Sequence, residues 1–481
     1  MKKTSWLVGL GLSFLVSACG LNPTGVDQPT SLKKEKQSLT VQLDPDYSSP
    51  YSGVGGIDKG KDYKLDVAQF RSKMNLAIRN VKGYQYVLIK NRVVVDEKAG
   101  GYAKREWVNQ QNIYDGVIRQ MMTTSTYSNV GSVSKFPVAV AMVVAMHRKG
   151  HSINFLDNKI WHYLPTPWKS VMHDNIKWIT FRDLMAHTSG FSETGTPSDV
   201  VEALKAGVSR FSTTGDGIKI HCSNVLSKPD DQTHTGYCHG VYGYANVNYR
   251  LLGYLIASYY DTQLRLSLNN YAATNKIIQS KLGERFTQLM SEFLFSKVTP
   301  TITPSCDPIN DFAFARKPYA LMYSDRFDMK PGYAPSTKTQ LQASGYSPHC
   351  RGQGGWNYSA RALALLLGTL ESTDLIMPRS LYRDMMNPQH NQNASINRVG
   401  WGALSVKGTD YETKFGWKYL PNHNGDRPAT APDGRKVYGK ATIIRLPMGY
   451  NAVAIVNSSG MEPEEIRAEI RDAFIESVVL Q

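Results

Sequence analysis

Residues 131–135 read Gly-Ser-Val-Ser-Lys, and an apolar run from Phe136 to Met146 follows directly. A run of this length has to be buried, and it predicts a buried helix. Residues three apart share one face of a helix, and side chains lean toward its N-terminus. Lys135 can therefore reach back to the Ser132 hydroxyl, where the helix N-terminus favours negative charge. Because an unassisted serine is a weak nucleophile, this pair predicts an activated one.

The Ser-x-x-Lys pattern is a weak signal by itself. It also occurs as Ser31-Leu32-Lys33-Lys34, in a polar stretch with no apolar helix behind it. Taken alone, the pattern indicates an exposed polar helix start more often than a nucleophile. The rest of the sequence has to decide between the two interpretations.

The N-terminus has the pattern of an export signal. Two lysines precede an apolar stretch at residues 6–16, and Val16-Ser17-Ala18-Cys19 follows, which is typical of a segment that is removed from the mature protein. Val-Ser-Ala-Cys resembles a bacterial lipobox, which implies cleavage before Cys19 and acylation of that cysteine. An ordinary signal peptide followed by a free cysteine is the alternative. Because Gly20 follows rather than aspartate, the resemblance implies an outer-membrane lipoprotein that faces the periplasm.

Export would place the other cysteines in an oxidising compartment, where an even number predicts disulfides. These cysteines are Cys222, Cys238, Cys306 and Cys350. Among the three pairings that four cysteines allow, we prefer Cys222–Cys238 with Cys306–Cys350, because each bond would close one loop-like segment. A zinc site is the alternative, since a histidine flanks each of the first two cysteines, but the tight Cys-x-x-Cys pairs are missing. We therefore expect no metal.

The composition is that of a globular enzyme, with 41% hydrophobic and 20% charged residues in 481. The formal net charge is +15, which draws an exported protein toward anionic lipid headgroups or other envelope polymers. A basic surface that serves solubility explains the charge equally well. We expect a monomer that meets the membrane through its lipid anchor and binds no nucleic acid.

The chain divides into three segments. Residues 1–18 are the predicted lipoprotein signal peptide, and residues 19–62, rich in Pro, Gly, Ser and charge, are predicted to be a lipidated, flexible tether. Residues 63–481 form the predicted folded domain. No later apolar segment has the roughly 18 residues that a membrane-spanning helix needs.

Strand patterns occur near both ends of the predicted domain. After an amphipathic helix pattern (Phe70, Met74, Ile78), residues 84–90 and 93–95 flank Asn91-Arg92 as a predicted β-hairpin. Apolar strands return at residues 441–446 and 452–457, followed by a closing helix from Glu462. The fold class is therefore α/β (α+β): one antiparallel sheet from both chain ends, flanked by helices, with an inserted, mostly helical region.

Four further blocks follow the serine in order. They are Ile179 to Phe191 (Ile-Thr-Phe-Arg-Asp-Leu-Met-Ala-His-Thr-Ser-Gly-Phe), Tyr244-Ala245-Asn246, Gly354-Gly355 and His423-Asn424-Gly425. With residues 131–135, they resemble the serine β-lactamase and penicillin-binding protein superfamily, in the branch of class C β-lactamases, DD-peptidases and related esterases. The resemblance covers the chain from about residue 65 to its end. It implies a β-lactamase/DD-peptidase-like fold and no cofactor.

The resemblance assigns chemical roles to three of these blocks. Ser132 would attack a carbonyl and form an acyl-enzyme. Lys135 and Tyr244 would share its proton, because burial of the pair disfavours the charged lysine. Asn246 would hold the lysine and the amide of the substrate.

The last block faces the nucleophile in this family. The backbone N–H groups of Ser132 and Asp426 are the implied oxyanion hole, and Asn424 and Gly425 are implied to bind substrate. His423 stands where class C β-lactamases have lysine. A histidine is mostly neutral near pH 7, so it relaxes the need for a substrate carboxylate and admits esters or amides. His234-Thr235-Gly236 has the same pattern, but it comes before Tyr244 and so breaks the order of blocks.

Other polar and aromatic residues have structural interpretations. We expect His187 to be structural, next to a turn at Thr188-Ser189-Gly190, and Tyr249 to lie in the core. Trp356 and Trp417 fit a substrate cleft or core packing equally well.

The sequence therefore predicts an exported serine hydrolase that acts on an ester, an amide or a D-amino-acid peptide of the cell envelope. Two alternatives remain open. One is a class C-like β-lactamase, and the other is a catalytically silent lipoprotein that binds cell-wall fragments or a protein partner.

Overall fold

The protein is built around one large antiparallel sheet. The computed structural model describes residues 63–78, 81, 83–104, 120–192, 197–208, 211–213, 219–221, 242–269, 274–306, 318–320, 322–323, 331–333, 352–386, 397–417, 419–430, 436–458 and 461–480.

The strands in these ranges are short except near the two ends of the domain. They are β1 (Tyr63–Leu65), β2 (Gly83–Lys90), β3 (Val93–Lys104), β4 (Gln120–Met121), β5 (Ser128–Asn129), β6 (Phe211–Thr213), β7 (Lys219–His221), β8 (Met322–Tyr323), β9 (Pro331–Tyr333), β10 (Asn357–Tyr358), β11 (Asn397–Arg398), β12 (Trp401–Ser405), β13 (Tyr419–Thr430), β14 (Lys436–Leu446), β15 (Tyr450–Val456) and β16 (Val478–Leu480).

Most of the helices lie between β5 and β11. The helices are α1 (Val67–Ala77), α2 (Lys135–Arg148), α3 (Thr166–Lys169), α4 (Phe181–Ala186), α5 (Val200–Ala206), α6 (Asn246–Tyr260), α7 (Thr262–Asn269), α8 (Asn275–Phe293), α9 (Ala360–Ser372), α10 (Arg379–Met386), α11 (Asp410–Phe415) and α12 (Pro463–Glu476).

The main sheet joins distant parts of the chain. Its strands lie in the order β11-β12-β13-β14-β15-β2-β3-β4, and β8 pairs with β14 beside this path. β2 pairs with β15 in antiparallel register, with Val87 opposite Val453. One antiparallel sheet formed by both chain ends, with helices between them, is therefore confirmed.

The β2–β3 hairpin forms where the sequence predicts it. Its turn residues, Asn91 and Arg92, have φ angles of 46° and 67°. Two consecutive positive φ angles match the right-handed twist of the flanking strands. Asparagine accepts this conformation readily, whereas arginine has no such preference, so the strand pairing fixes the conformation of Arg92.

Alternate side chains of the sheet enter two different cores. Val87 and Ile89 belong to a large core shared with the central helices, whereas Tyr86 and Leu88 belong to a second core. This alternation follows from the two-residue period of a strand. α9 packs on β2 and β15 at the first face. α1 and α12 contribute buried apolar side chains to the second core, so both faces of the sheet are covered.

Helix α2 runs through the large core. Every residue from Lys135 to Met146 is buried, and the helix contacts α6 and α8. A helix that is apolar on all sides has to be surrounded by protein. The buried helix predicted from the apolar run is therefore confirmed.

Several predictions fall on residues outside the described ranges. The signal peptide, Cys19, the whole of the tether and the His234-Thr235-Gly236 segment lie there, as do the cysteines other than Cys306. Cys306 is disulfide-bonded, and the preferred pairing stays a prediction. Within the described ranges, no helix combines the length and apolar character needed to cross a membrane.

Candidate active site

The turn that carries Ser132 leads directly into α2. Gly131–Ser134 form a 3-10 turn, and Lys135 is the first residue of α2. Gly131 has a φ of 51°, a conformation that glycine adopts without steric cost. The turn places Lys135 Nζ 2.8 Å from Ser132 Oγ. This is the contact predicted from the sequence, although the turn is 3-10 rather than α-helical.

Lys135 is completely buried and lies among four oxygen atoms. Its Nζ is 2.8 Å from Ser132 Oγ, 2.7 Å from the Tyr244 hydroxyl, 2.8 Å from Asn246 Oδ1 and 2.7 Å from the Gln353 carbonyl oxygen. A buried lysine without such partners would be costly. These four acceptors come from three segments, the serine turn, residues 244–246 and Gln353, so the lysine links these segments at the centre of the site.

Tyr244 and Asn246 reach the site from the start of α6. The Tyr244 hydroxyl is 2.5 Å from Ser132 Oγ, and Lys135 Nζ lies 4.9 Å from the centre of the Tyr244 ring. Asn246 is the first residue of α6. The structure therefore brings together Ser132, Lys135, Tyr244 and Asn246, as the sequence predicts.

Strand β13 lies against the serine turn. A methyl group placed on Gly425 would lie 1.9 Å from the Val130 carbonyl oxygen and 3.0 Å from Ser132 N. A methyl group on Gly131 would lie 2.9 Å from Asp426 N. Only glycines allow this close approach. The two N–H groups predicted to form an oxyanion hole, those of Ser132 and Asp426, therefore belong to backbone segments in direct contact.

His423 lies on β13 at the same cavity and is neutral near pH 7. Burial first, and then the nearby charge of Lys135, lower the pKa of its imidazole to about 4, against the raising effect of the Asn424 backbone. The Asn424 carbonyl oxygen, 2.8 Å away, can only accept a hydrogen bond, so Nδ1 carries the proton. A neutral imidazole gives a substrate carboxylate no ionic partner.

The side chain of Asn424 is held by two neighbours. Its Nδ2 donates to Glu464 Oε1 of α12 at 2.8 Å, and its Oδ1 accepts from Thr442 Oγ1 at 2.8 Å. Asn424 lines the cavity, but a substrate would compete with Glu464 for its amide. Asp426 is exposed and also lines the cavity. The side of the cavity formed by β13 and α12 therefore carries the carboxylates of Asp426 and Glu464.

One cavity of about 590 Å³ is lined by six of the predicted site residues: Ser132, Tyr244, Asn246, His423, Asn424 and Asp426. That volume suits a small-molecule site. Residues that sequence reasoning missed also line it: Met185, His187, Tyr242, Trp401, Glu462, Glu464 and Arg467. Their positions depend on tertiary packing, and only the block around His187 carried a sequence signal.

The two tryptophans left open by the sequence lie in the core. Trp356 is 1% exposed and packs edge-on against Phe295. Trp417 is 4% exposed in the second core. Neither lines the cavity. Tyr249 is buried as predicted, although its ring also borders the cavity.

The described ranges contain no cluster of three or more His, Cys, Asp or Glu side chains that could bind a metal ion.

One comparison with known proteins identifies a family. A family model described as Beta-lactamase matches residues 75–475. That range includes the serine turn, α6 and β13. No curated protein sequence matches the chain.

Solved structures share the fold at low sequence identity. A penicillin-binding protein homologue from Pyrococcus abyssi, described as octameric, is 15% identical, with 86% of this chain and 78% of that chain covered and a TM-score of 0.51. A class C beta lactamase from Rhodobacter sphaeroides is 15% identical, with 85% and 98% covered and a TM-score of 0.50. FmtA from Staphylococcus aureus is 13% identical, with 88% and 92% covered and a TM-score of 0.52. Such identities establish the shared fold alone.

Proposed function

The chain belongs to the Beta-lactamase family, whose model matches residues 75–475, and on that premise we propose that it is a serine hydrolase that forms an acyl-enzyme on Ser132. The proposed substrate contains an ester, an amide or a D-amino-acid peptide bond. One observation carries this proposal: the buried Lys135 Nζ lies within 2.8 Å of Ser132 Oγ, the Tyr244 hydroxyl and Asn246 Oδ1 together.

Lys135 and Tyr244 act as a proton-transfer pair in this proposal. A lysine ammonium has three protons, and amide and carbonyl oxygens can only accept hydrogen bonds. Asn246 Oδ1 and the Gln353 carbonyl oxygen therefore accept hydrogen bonds from two of the three N–H positions on Nζ. The third position is directed at Ser132 and Tyr244. The pair is either a phenolate beside an ammonium or a phenol beside an amine. In both states one of the two groups can accept the Ser132 proton.

The reaction proceeds in two acyl transfers. Ser132 Oγ bonds to the substrate carbonyl carbon while its proton moves to the Lys135–Tyr244 pair. The N–H groups of Ser132 and Asp426 stabilise the oxyanion, an effect typically worth about 2.7–4 kcal/mol per donor. The leaving alcohol or amine takes the proton from the pair. Water then attacks the acyl-enzyme carbonyl carbon and gives a proton to the Lys135–Tyr244 pair. The bond from that carbon to Ser132 Oγ breaks, the pair returns the proton to Oγ, and the acid leaves.

The wall opposite the nucleophile favours substrates without a carboxylate near the reacting bond. His423 is neutral there, because its pKa is lowered to about 4, and Asp426 and Glu464 add negative charge. Arg467 also lines the cavity, but its Nη1 donates to Asn422 Oδ1 at 2.9 Å. These contacts support an ester or neutral amide over a cephalosporin as substrate.

We further propose that the substrate belongs to the cell envelope. This proposal rests on the N-terminal sequence pattern, which predicts export and a lipid anchor at Cys19 in the outer membrane.

A substrate panel tests the proposed specificity. We expect kcat/KM on small aryl esters to exceed kcat/KM on a chromogenic cephalosporin. D-alanyl peptides are the third class of substrate in the panel. His423→Lys should raise the cephalosporin value relative to the ester value by about 10- to 150-fold, because one hydrogen bond to a charged group is worth about 1.5–3 kcal/mol.

Ser132→Ala is the control for all three substrates and should abolish turnover. Rapid cephalosporin hydrolysis with negligible esterase activity in the wild type would overturn the proposed preference. Turnover that survives in Ser132→Ala would instead overturn the proposed nucleophile.

A further inference from the structure

His187 lies directly after α4, in a left-handed conformation that is uncommon for residues other than glycine. Its φ of 58° and ψ of 38° are left-handed, which costs a residue with a side chain roughly 1–2 kcal/mol. The side chain is almost fully buried, at 6% exposure, and borders the cavity. Such a conformation persists only where the surrounding contacts hold it.

The contacts of His187 converge on Tyr244 from both sides. The Gly243 N–H donates to the His187 carbonyl oxygen at 2.8 Å, and the Ala245 N–H donates to His187 Nδ1 at 3.2 Å. Between these two bonds, the imidazole stacks on the Tyr244 ring, with ring centres 4.6 Å apart and planes inclined by 30°. One side chain therefore fixes the residues before and after Tyr244 and the plane of its ring.

A second layer of contacts orients the imidazole. Ser189 Oγ donates to Asn248 Oδ1 at 2.6 Å, which turns Asn248 Nδ2 toward His187 Nδ1 at 3.1 Å. Because Nδ1 accepts hydrogen bonds from the Ala245 N–H and from Asn248, the ring is neutral with its proton on Nε2.

The surroundings keep the imidazole neutral. Burial holds the pKa of His187 well below 6.5, and the charge of Lys135 acts in the same direction. The phenol rings of Tyr242, Tyr244 and Tyr249 pack around it. A protonated ring would place an Nδ1–H against the Ala245 N–H. Protonation is therefore expected to break the hydrogen bond that holds residue 245 next to Tyr244.

We propose that His187 is a positioning residue that holds the Tyr244 hydroxyl at proton-transfer distance from Ser132. The proposal rests on the proposed acyl-enzyme function and extends it to a residue that touches neither Ser132 nor Lys135 by hydrogen bond. The proposal also explains the left-handed conformation of His187, because this conformation places both its carbonyl oxygen and its ring in contact with residues 243–245.

Two variants separate the two side-chain contacts of His187, which are the ring stack on Tyr244 and the hydrogen bond from the Ala245 N–H. His187→Asn keeps an acceptor oxygen near the position of Nδ1 and tolerates the left-handed conformation, but it loses the ring stack. His187→Phe keeps a stacking ring, but it leaves the Ala245 N–H without its acceptor. His173→Asn is the matched control, because His173 Nδ1 also accepts from a backbone N–H, that of Asn175 at 3.2 Å, and His173 is not among the cavity residues.

We expect kcat/KM on an ester to fall on the order of 100-fold in His187→Phe, because a misplacement of about 1 Å can cost that much. His187→Asn should lose less. The pH profile of kcat/KM should shift in both variants, whereas His173→Asn should change thermal stability without changing the profile. Lowered stability with wild-type kcat/KM and an unchanged pH profile in both His187 variants would overturn the proposal.

A crystal structure of His187→Phe decides the question independently of activity. We expect the Tyr244 hydroxyl to leave hydrogen-bond distance of Ser132 Oγ, which is 2.5 Å away in the wild type. An unmoved hydroxyl would contradict the positioning role. If the wild type proves inert toward every substrate, the proposed function fails, and this structural result still decides the role of His187.

Discussion

Replacing Lys135 with methionine should slow the acylation of Ser132 by about 1,000-fold, within the range of proton-transfer catalysis. Methionine fills a similar volume but can neither donate to Asn246 Oδ1 and the Gln353 carbonyl nor exchange a proton with Tyr244. The loss should appear in the rate of labelling by a fluorophosphonate and in kcat for ester hydrolysis. KM should change less, because the lysine is buried behind the serine.

The fold should survive this substitution. Lys135 lies at the start of an apolar helix in the large core, where an uncharged side chain carries no desolvation cost. Lys90→Met is the matched control, because Lys90 Nζ also lies over a tyrosine ring, 4.8 Å from the centre of Tyr450, and is not a cavity residue. A Lys135→Met protein that acylates as fast as Lys90→Met would show that the lysine takes no part in the reaction.

Replacing Gly425 with alanine should damage both catalysis and stability. The added methyl group would lie 1.9 Å from the Val130 carbonyl oxygen, so β13 would have to move away from the serine turn. Displacing one oxyanion donor typically costs about 100- to 1,000-fold in kcat. Overpacking of this kind typically lowers the free energy of unfolding by about 1–3 kcal/mol. Both effects are measurable, by ester kinetics and by urea denaturation.

Gly439→Ala provides the comparison on the neighbouring strand. A methyl group on Gly439 would lie 3.1 Å from the Asn129 carbonyl oxygen, and its next contact is the flexible Met322 side chain at 3.2 Å. We expect a small loss of stability and wild-type kinetics. Equal kinetic losses in the two variants would mean that the close approach of β13 to Val130 has no special role in the reaction.

The sequence predicted the parts of the fold that depend on local patterns. The apolar run after Lys135 is long enough to require burial, and the Asn91-Arg92 turn between two apolar stretches indicates a hairpin. In contrast, β13 contains Pro421, Pro428 and Gly425, which have low strand propensity. Only its position relative to the other blocks indicated a strand, because pairing with β12 and β14 overrides local preference there.

The candidate site was predicted where chain spacing or block order fixes the geometry. Ser132 and Lys135 are three residues apart, so their contact follows from helical geometry. Glu464 and Arg467 of α12 reach the cavity only because α12 packs across β13 and β14, which no local pattern indicates. His187 was expected to be structural, and its stacking on Tyr244 became visible only when α4 and α6 were placed together.

Location of the covalent adduct tests the central claim most directly. The purified wild-type protein would be treated with a fluorophosphonate, and the modified residue would be identified by intact mass and peptide mapping. We predict a single adduct on Ser132 that is absent from Ser132→Ala. An adduct on another residue, or an unmodified folded protein after exposure to several serine-directed probes, would contradict the account of Ser132 as an acyl-enzyme nucleophile.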